Sequence, residues 1–189
     1  GAKELWARYG EAMKAVLEAY RRGFGGRVVL HDNGLIWAAA DGEALTWMNT
    51  KVDGHPVAQR AGYDVEIEAL WYNAVCYTLA LAAKMKDKEF VDRWADMPER
   101  TKASFLSKFW LGENYLADYV NDSEVNDFRR SNMIVACGLD YTMLSEEQIV
   151  DVLGVVRQHL LTRRGLRSLS PRNPLYEPSY ADDQRSQDL

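Results

Sequence analysis

Groups that ligate metals or form cross-links are scarce in this chain: two cysteines and three histidines stand among 189 residues. Cys76 and Cys137 sit inside apolar helical stretches without metal-like spacing, so both are expected to be buried free thiols of a reducing compartment. His31, His55 and His159 are scattered, with no HxH or HExxH pattern, and neither a metal site nor any other cofactor is expected. Positive charge is also in short supply. The formal net charge of −5 leaves no basic footprint, which argues against nucleic acid as a partner. The longest apolar run, residues 69–83, is too short to span a bilayer and carries Asn73 and Thr78. No signal peptide or membrane span is visible, and a cytoplasmic location is expected.

What is present is ordinary globular balance, 47% hydrophobic and 27% charged, in a chain long enough for one domain with a real core. Six tryptophans and ten tyrosines exceed what a minimal core needs. Aromatic rings can line a sugar site, although filling the core is the commoner role for any one of them.

Helical periodicity dominates. Leu5, Tyr9, Met13, Val16, Leu17 and Tyr20 recur at three and four, predicting an amphipathic outer helix over residues 3–22 that ends at Gly23, Gly25 and Gly26. Turn signals at Asp32-Asn33-Gly34 and Asp41-Gly42 predict a small hairpin within residues 27–40, pairing Val28-Val29-Leu30 with Leu35-Ile36-Trp37. Residues 66–84 are apolar almost all round, as a buried helix is. A charged linker over residues 84–93 precedes Pro98, which is placed to begin a helix reaching about Leu111. Residues 113–130 read as polar loop, and residues 132–138 as a short apolar helix. Ser145-Glu146-Glu147-Gln148 is a capping box ahead of a helix whose expected inner face is Ile149, Val150, Leu153, Val156, Leu160 and Leu161. From Gly165 to Leu189 no periodicity remains, and a long irregular segment of this kind is often functional. One-sided helices thus alternate with all-round apolar ones, the pattern of a two-layer ring of α/α hairpins, and no βαβ signal competes.

Most of the functional information lies in residues 45–75, where Thr46-Trp47-Met48-Asn49 and Glu66-Ile67-Glu68-Ala69-Leu70-Trp71-Tyr72-Asn73 flank a Gly/Pro-punctuated loop. Glu66 and Glu68 occupy the first turn of the buried helix, where the helix dipole alone would favour them and where they could equally face a ligand. Here the sequence resembles the C-terminal amylo-α-1,6-glucosidase domain of glycogen debranching enzymes. The likeness continues weakly at Arg130-Ser131-Asn132-Met133, where that family shows Arg-Pro-Asn-Gln. It is strong again in the segment that begins Gly165-Leu166-Arg167-Ser168-Leu169-Ser170-Pro171. These co-linear blocks cover most of the chain from Asp32 onward.

The resemblance implies an all-α fold, a six-hairpin α/α toroid, and hydrolysis of the α-1,6-linked glucose at a glycogen branch point. Two carboxyl groups about 6.5–9.5 Å apart would act in the inverting geometry, one as general acid and one activating water. By carry-over, Trp47 and Trp71 would offer aromatic surfaces to the sugar. Lys51 and Arg60 would donate to hydroxyls, Glu66 and Asn73 would make polar contacts, and Arg130, Asn132 and Arg167 would complete the binding set, with Tyr176 and Tyr180 closing over it. The family's acid is the Asp of Trp-Met-Asp, and this chain has Asn49 there. A carboxamide has no acidic proton to give at neutral pH. Asp53 and Glu66 are the nearest carboxylates that could substitute. Glu68 stands where the family tends to have Asn and is a further candidate. The family also continues beyond the equivalent of Leu189 to a second carboxylate. The chain is therefore expected to be a fragment or truncated product holding about half the ring, of low or no activity, and self-associating into a homo-oligomer through exposed inner-helix faces. A non-catalytic glucan-binding or scaffold module is the main alternative, and another α/α-toroid glycosidase of trehalase or glucoamylase type is a third.

Overall fold

The computed structural model describes residues 1–112 and 114–178. The first helix, α1 (Ala2–Arg22), packs against α2 (Val65–Met85), the helix around which the other elements gather. Helix α2 also touches α3 (Lys88–Trp94), α4 (Met97–Phe109), a 3-10 turn (Ser131–Ile134) and the short α5 (Val135–Gly138) that continues it. The final helix, α6 (Glu146–His159), lies against the 3-10 turn and α5. The capping box forms as expected: Ser145 Oγ accepts from the Gln148 amide at 3.2 Å, and Gln148 Oε1 accepts from the Ser145 amide at 3.0 Å. Pro98 opens α4, where a missing amide hydrogen costs nothing.

The expectation of an all-α fold is corrected. The hairpin β1 (Val28–Leu30) and β2 (Ile36–Ala38) forms, but as the edge of a five-stranded antiparallel sheet. Beyond β2 come β5 (Gly62–Asp64), β8 (Tyr119–Val120) and β9 (Val125–Asn126). Two smaller ribbons pair β3 (Lys51–Val52) with β4 (His55–Pro56), and β6 (Trp110–Leu111) with β7 (Tyr115–Leu116). Three of these strands lie inside residues 113–130, expected to be polar loop. Two-residue strands are too short to show a period of two, so pattern alone could not announce them. The linker of residues 84–93 likewise contains a helix, α3, capped by Asp87 accepting from the Phe90 amide.

Two apolar clusters form the core, and α2 contributes to both. Val65 and Ala69 join Phe105, Phe109, Leu116, Met133 and Val156, whereas Trp71, Val75 and Ala82 join Leu17, Ile36, Phe90 and Trp94. Two expected faces turn out narrower. On α1 the covered side runs through Gly10 and Leu17, leaving Tyr9 and Val16 exposed. Of the face expected for α6 and the residues just after it, Val156 and Leu160 are buried and Val152 joins them, while Val150, Leu153 and Leu161 face out. Both cysteines are unpaired and half-buried. Among the described residues no helix is long and apolar enough to cross a membrane, and no three of His, Cys, Asp and Glu are placed to hold a metal ion. Residues 165–178 contain no helix or named strand; they are tied down by bridges from Leu161 to Leu166 and from Arg130 to Leu169. Tyr180 lies outside the described residues.

The sheet is pinned at its centre by Gly62, whose φ of 144° and contact with the neighbouring strand exclude a side chain. A Cβ there would collide with the Val120 carbonyl oxygen. Gly62→Ala should lower unfolding stability by roughly 2 kcal/mol or more. Gly154→Ala, in helical backbone with open space around it, should raise stability by about 0.5 kcal/mol. Urea denaturation of both variants checks the contrast.

Candidate functional site

A buried ionic cluster sits where the sheet meets α2. Arg60 precedes β5, Asp64 ends that strand and is the N-cap of α2, and Glu66 lies in the helix's first turn. Strand and helix therefore bring three charged residues within one short turn of chain. The Arg60 guanidinium grips Glu66 with two parallel bonds, Nη1 to Oε1 at 2.5 Å and Nη2 to Oε2 at 2.7 Å. Its Nη2 also donates to the Asp118 carbonyl at 2.9 Å and to Asp118 Oδ1 at 3.3 Å. Its Nε stands 3.0 Å from Asp118 Oδ2 and 3.3 Å from Asp64 Oδ1, at ion-pair distance without hydrogen-bond alignment. Asn132 Nδ2 donates to Asp118 Oδ1 at 2.8 Å, and Arg130 Nε lies 3.6 Å from Asp118 Oδ2. All six residues are 6% exposed or less.

Charges this far from water persist only when paired. Burial works against the Arg60 cation, yet Glu66, Asp118 and Asp64 together outweigh it and raise its pKa. Asp64 fares differently. Neither of its oxygens has a hydrogen-bond partner among the described residues. Burial pushes its pKa up to about 8; Arg60 pulls the other way, while Glu66 and Asp118 add to the rise. Asp118 is also raised by burial, against the pull of Arg60, Arg130 and Asn132. Asp64 thus keeps its proton at neutral pH, and the two guanidiniums face the two remaining carboxyl groups.

Above the cluster opens a cavity of about 160 Å³ lined by Trp47, Met48, Thr50, Val57, Ala58, Arg130 and Ser168. At ~30 Å³ per water molecule it holds about five waters, room for one small polar group. Three segments distant in sequence supply its walls. Trp47 is 60% exposed and offers an open indole face there. Arg130 belongs to both cavity and cluster, and Asn132 Nδ2 reaches Met48 Sδ at 3.4 Å, so the loop and the buried network touch at two places.

The structure thus brings together Trp47, Arg60, Glu66, Arg130 and Asn132 of the expected set. Asn49 lies between the cavity residues Met48 and Thr50, exposed, with its amide bonded back to the Trp47 carbonyl at 3.0 Å. Lys51 is exposed on β3. Glu68 is fully buried and takes the Ile36 amide on both oxygens, at 2.9 and 3.2 Å; burial raises its pKa well above the usual value. Trp71 belongs to the second core cluster and donates its indole N–H to the Gly34 carbonyl. Asn73 accepts from the Tyr141 amide, and Arg167 pairs its backbone amide with the Leu160 carbonyl. Tyr176 is held locally, its amide bonded to the Asn173 carbonyl.

Sequence reasoning missed Asp64, Asp118 and Ser168. A usable signal existed for Asp118, the lone carboxylate in the apolar run Tyr115-Leu116-Ala117-Asp118-Tyr119-Val120. Such a charge is rarely buried unless paired.

The raised pKa of Asp64 carries a sign that can be measured. The unfolded chain releases this proton near pH 3.8, whereas the fold retains it to about pH 8. The contribution to stability is therefore complete below pH 3.8 and is lost as pH rises through about 8. Over that window the slope approaches ~1.4 kcal/mol per pH unit. Asp64→Asn should flatten the decline in urea midpoint between pH 4 and 8; Glu68 and Asp118, shifted the same way, leave part of the slope. An unchanged slope in the variant would refute the assignment.

No individually curated protein matches the sequence. A family model does, the one described as amylo-alpha-1,6-glucosidase, and its match runs over residues 2–189. That is nearly the whole chain, and it includes the loop carrying Trp47, both arginines of the cluster and Ser168. This chain belongs to the amylo-alpha-1,6-glucosidase family of glycogen debranching.

Proposed function

We propose that the cavity beside Trp47 receives the α-1,6-linked glucose of a branched α-glucan, and that the chain serves its hydrolytic release. The observation that carries this reading is the convergence of the Trp47-Met48 loop, Arg130 and Ser168 on one cavity above a dry carboxylate–guanidinium cluster. An exposed indole beside a guanidinium and a hydroxyl suits a pyranose, which presents an apolar face and a ring of hydroxyls.

Chemistry at this site depends on position 49. Release of the glucose needs a proton on the leaving oxygen, and Asn49 can only hydrogen-bond to it. General acid catalysis is worth roughly 10²- to 10⁴-fold in rate, so turnover by this chain is expected to be low. The nearby carboxyls do not line the cavity: Glu66 is clamped by Arg60, Glu68 is bonded to Ile36, and Asp64 is buried where β5 passes into α2. The same observation favours a second reading, a glucan-binding module without hydrolysis. Under both readings, self-association draws on the apolar groove of about 190 Å³ where Val16 and Leu70 stand exposed between α1 and α2.

Glucose release from a branched limit dextrin, together with affinity electrophoresis in the same glucan, tests both. The native chain should be retarded in the gel. In a longer form that carries the second carboxylate the family resemblance implies, Asn49→Asp should raise glucose release by at least tenfold if position 49 is that of the acid. Retardation without release in either form would leave the binding module standing. Neither retardation nor release would remove the sugar site altogether.

A further inference from the structure

Asp118 does more than balance charge. Its backbone is held on both sides: the amide donates to the Asn126 carbonyl at 2.8 Å, and its own carbonyl accepts from the Val65 amide at 3.1 Å and from Arg60 Nη2 at 2.9 Å. The carboxylate therefore projects from a fixed point between sheet and helix. One oxygen takes Asn132 and Arg60; the other faces Arg60 Nε at 3.0 Å and Arg130 Nε at 3.6 Å. Arg60 is turned inward, locked to Glu66 by two bonds. Arg130 is the one guanidinium of the pair that reaches the cavity, and Asn132 is the group that touches Met48 on the cavity's other wall. Asp118 thus hydrogen-bonds Asn132 and stands at ion-pair distance from Arg130, the two residues through which the buried network meets the cavity.

We propose that Asp118 is a positioning residue for the sugar site, fixing the Arg130 guanidinium and, through Asn132, the Met48 wall in the arrangement a glucose unit meets. This deepens the proposed function and rests on it for the identity of the ligand. The physical basis is preorganisation. An arginine side chain has many rotamers, and a contact made by one already held in place loses less entropy on binding than one made by a free chain. A carboxylate that served only the fold would have no reason to couple to ligand affinity through Arg130.

The test combines affinity electrophoresis in limit dextrin with the Arg130 Nε–H resonance in ¹⁵N spectra. Asp118→Asn keeps the shape and removes the charge. It should weaken retardation by roughly ten- to hundredfold in apparent Kd and move the Arg130 Nε–H signal. In an Arg130→Gln background the same change should have little further effect on affinity, because the residue it positions is gone. Asp118→Glu serves if the Asn form does not fold: the charge stays, the carboxylate shifts by one methylene, and affinity should still fall. Full additivity of Asp118→Asn and Arg130→Gln, or native affinity in a folded Asp118→Glu protein, would overturn the proposal. If the native chain itself shows no retardation, the sugar reading fails by that result. The positioning claim is then judged by the Arg130 resonance, and an unmoved signal in Asp118→Asn sinks it.

Discussion

A guanidinium withdrawn from water must have its charge answered on every side, and Arg60 is the point at which this fold meets that demand. Its partners come from the first turn of α2, from the end of β5 and from the link between β7 and β8. Glu66 and Asp118 are themselves buried, so neither can be withdrawn without leaving a charge stranded, a loss that typically costs about 3–5 kcal/mol. The consequence is geometric. Sheet, central helix and the segment leading to Arg130 are locked to one another at a single dry point, and the cavity is built on that point.

The cavity is small and sits at the rim of the lock, where the network meets solvent through Arg130 and the Met48–Asn132 contact. This arrangement separates support from contact. Carboxyls below hold guanidiniums and amides in place, while the walls offered to a ligand are an indole, a guanidinium and a hydroxyl. Such a division suits the recognition of a sugar proposed for this site. Asn49 and Glu68 together look in sequence like an exchange of one carboxyl for another. In space they are unlike: Asn49 lies on an exposed loop, and Glu68 is spent on the Ile36 amide of the hairpin.

How far the site was legible depended on spacing. Trp47, Arg60 and Glu66 were named from the motif blocks, and the fold places Arg60 and Glu66 in contact because the turn between β5 and α2 keeps these sequence neighbours together. Arg130 and Asn132 came from the weaker block, and the structure joins them to the others through Asp118. That residue was invisible for a reason: its strand is two residues long, and only pairing across the sheet makes the segment a strand at all. Trp71 shows the opposite error. Its place in a motif made it a sugar surface, while its volume and its indole N–H were taken up by the core and the Gly34 carbonyl.

By itself the sequence determined the helices, since periodicity, caps and breakers act within a few residues; it determined the family as well, through three co-linear blocks. Long-range pairing it could not decide. The five-stranded sheet joins segments from residue 28 to residue 126 through antiparallel ladders whose register no local pattern encodes. The faces of α1 and α6 were settled in the same way, by which neighbours arrived to cover them. Which carboxyl is sealed with its proton, which one clamps an arginine and which one stands between two guanidiniums are properties of distance and burial, and these exist only once the chain has closed on itself.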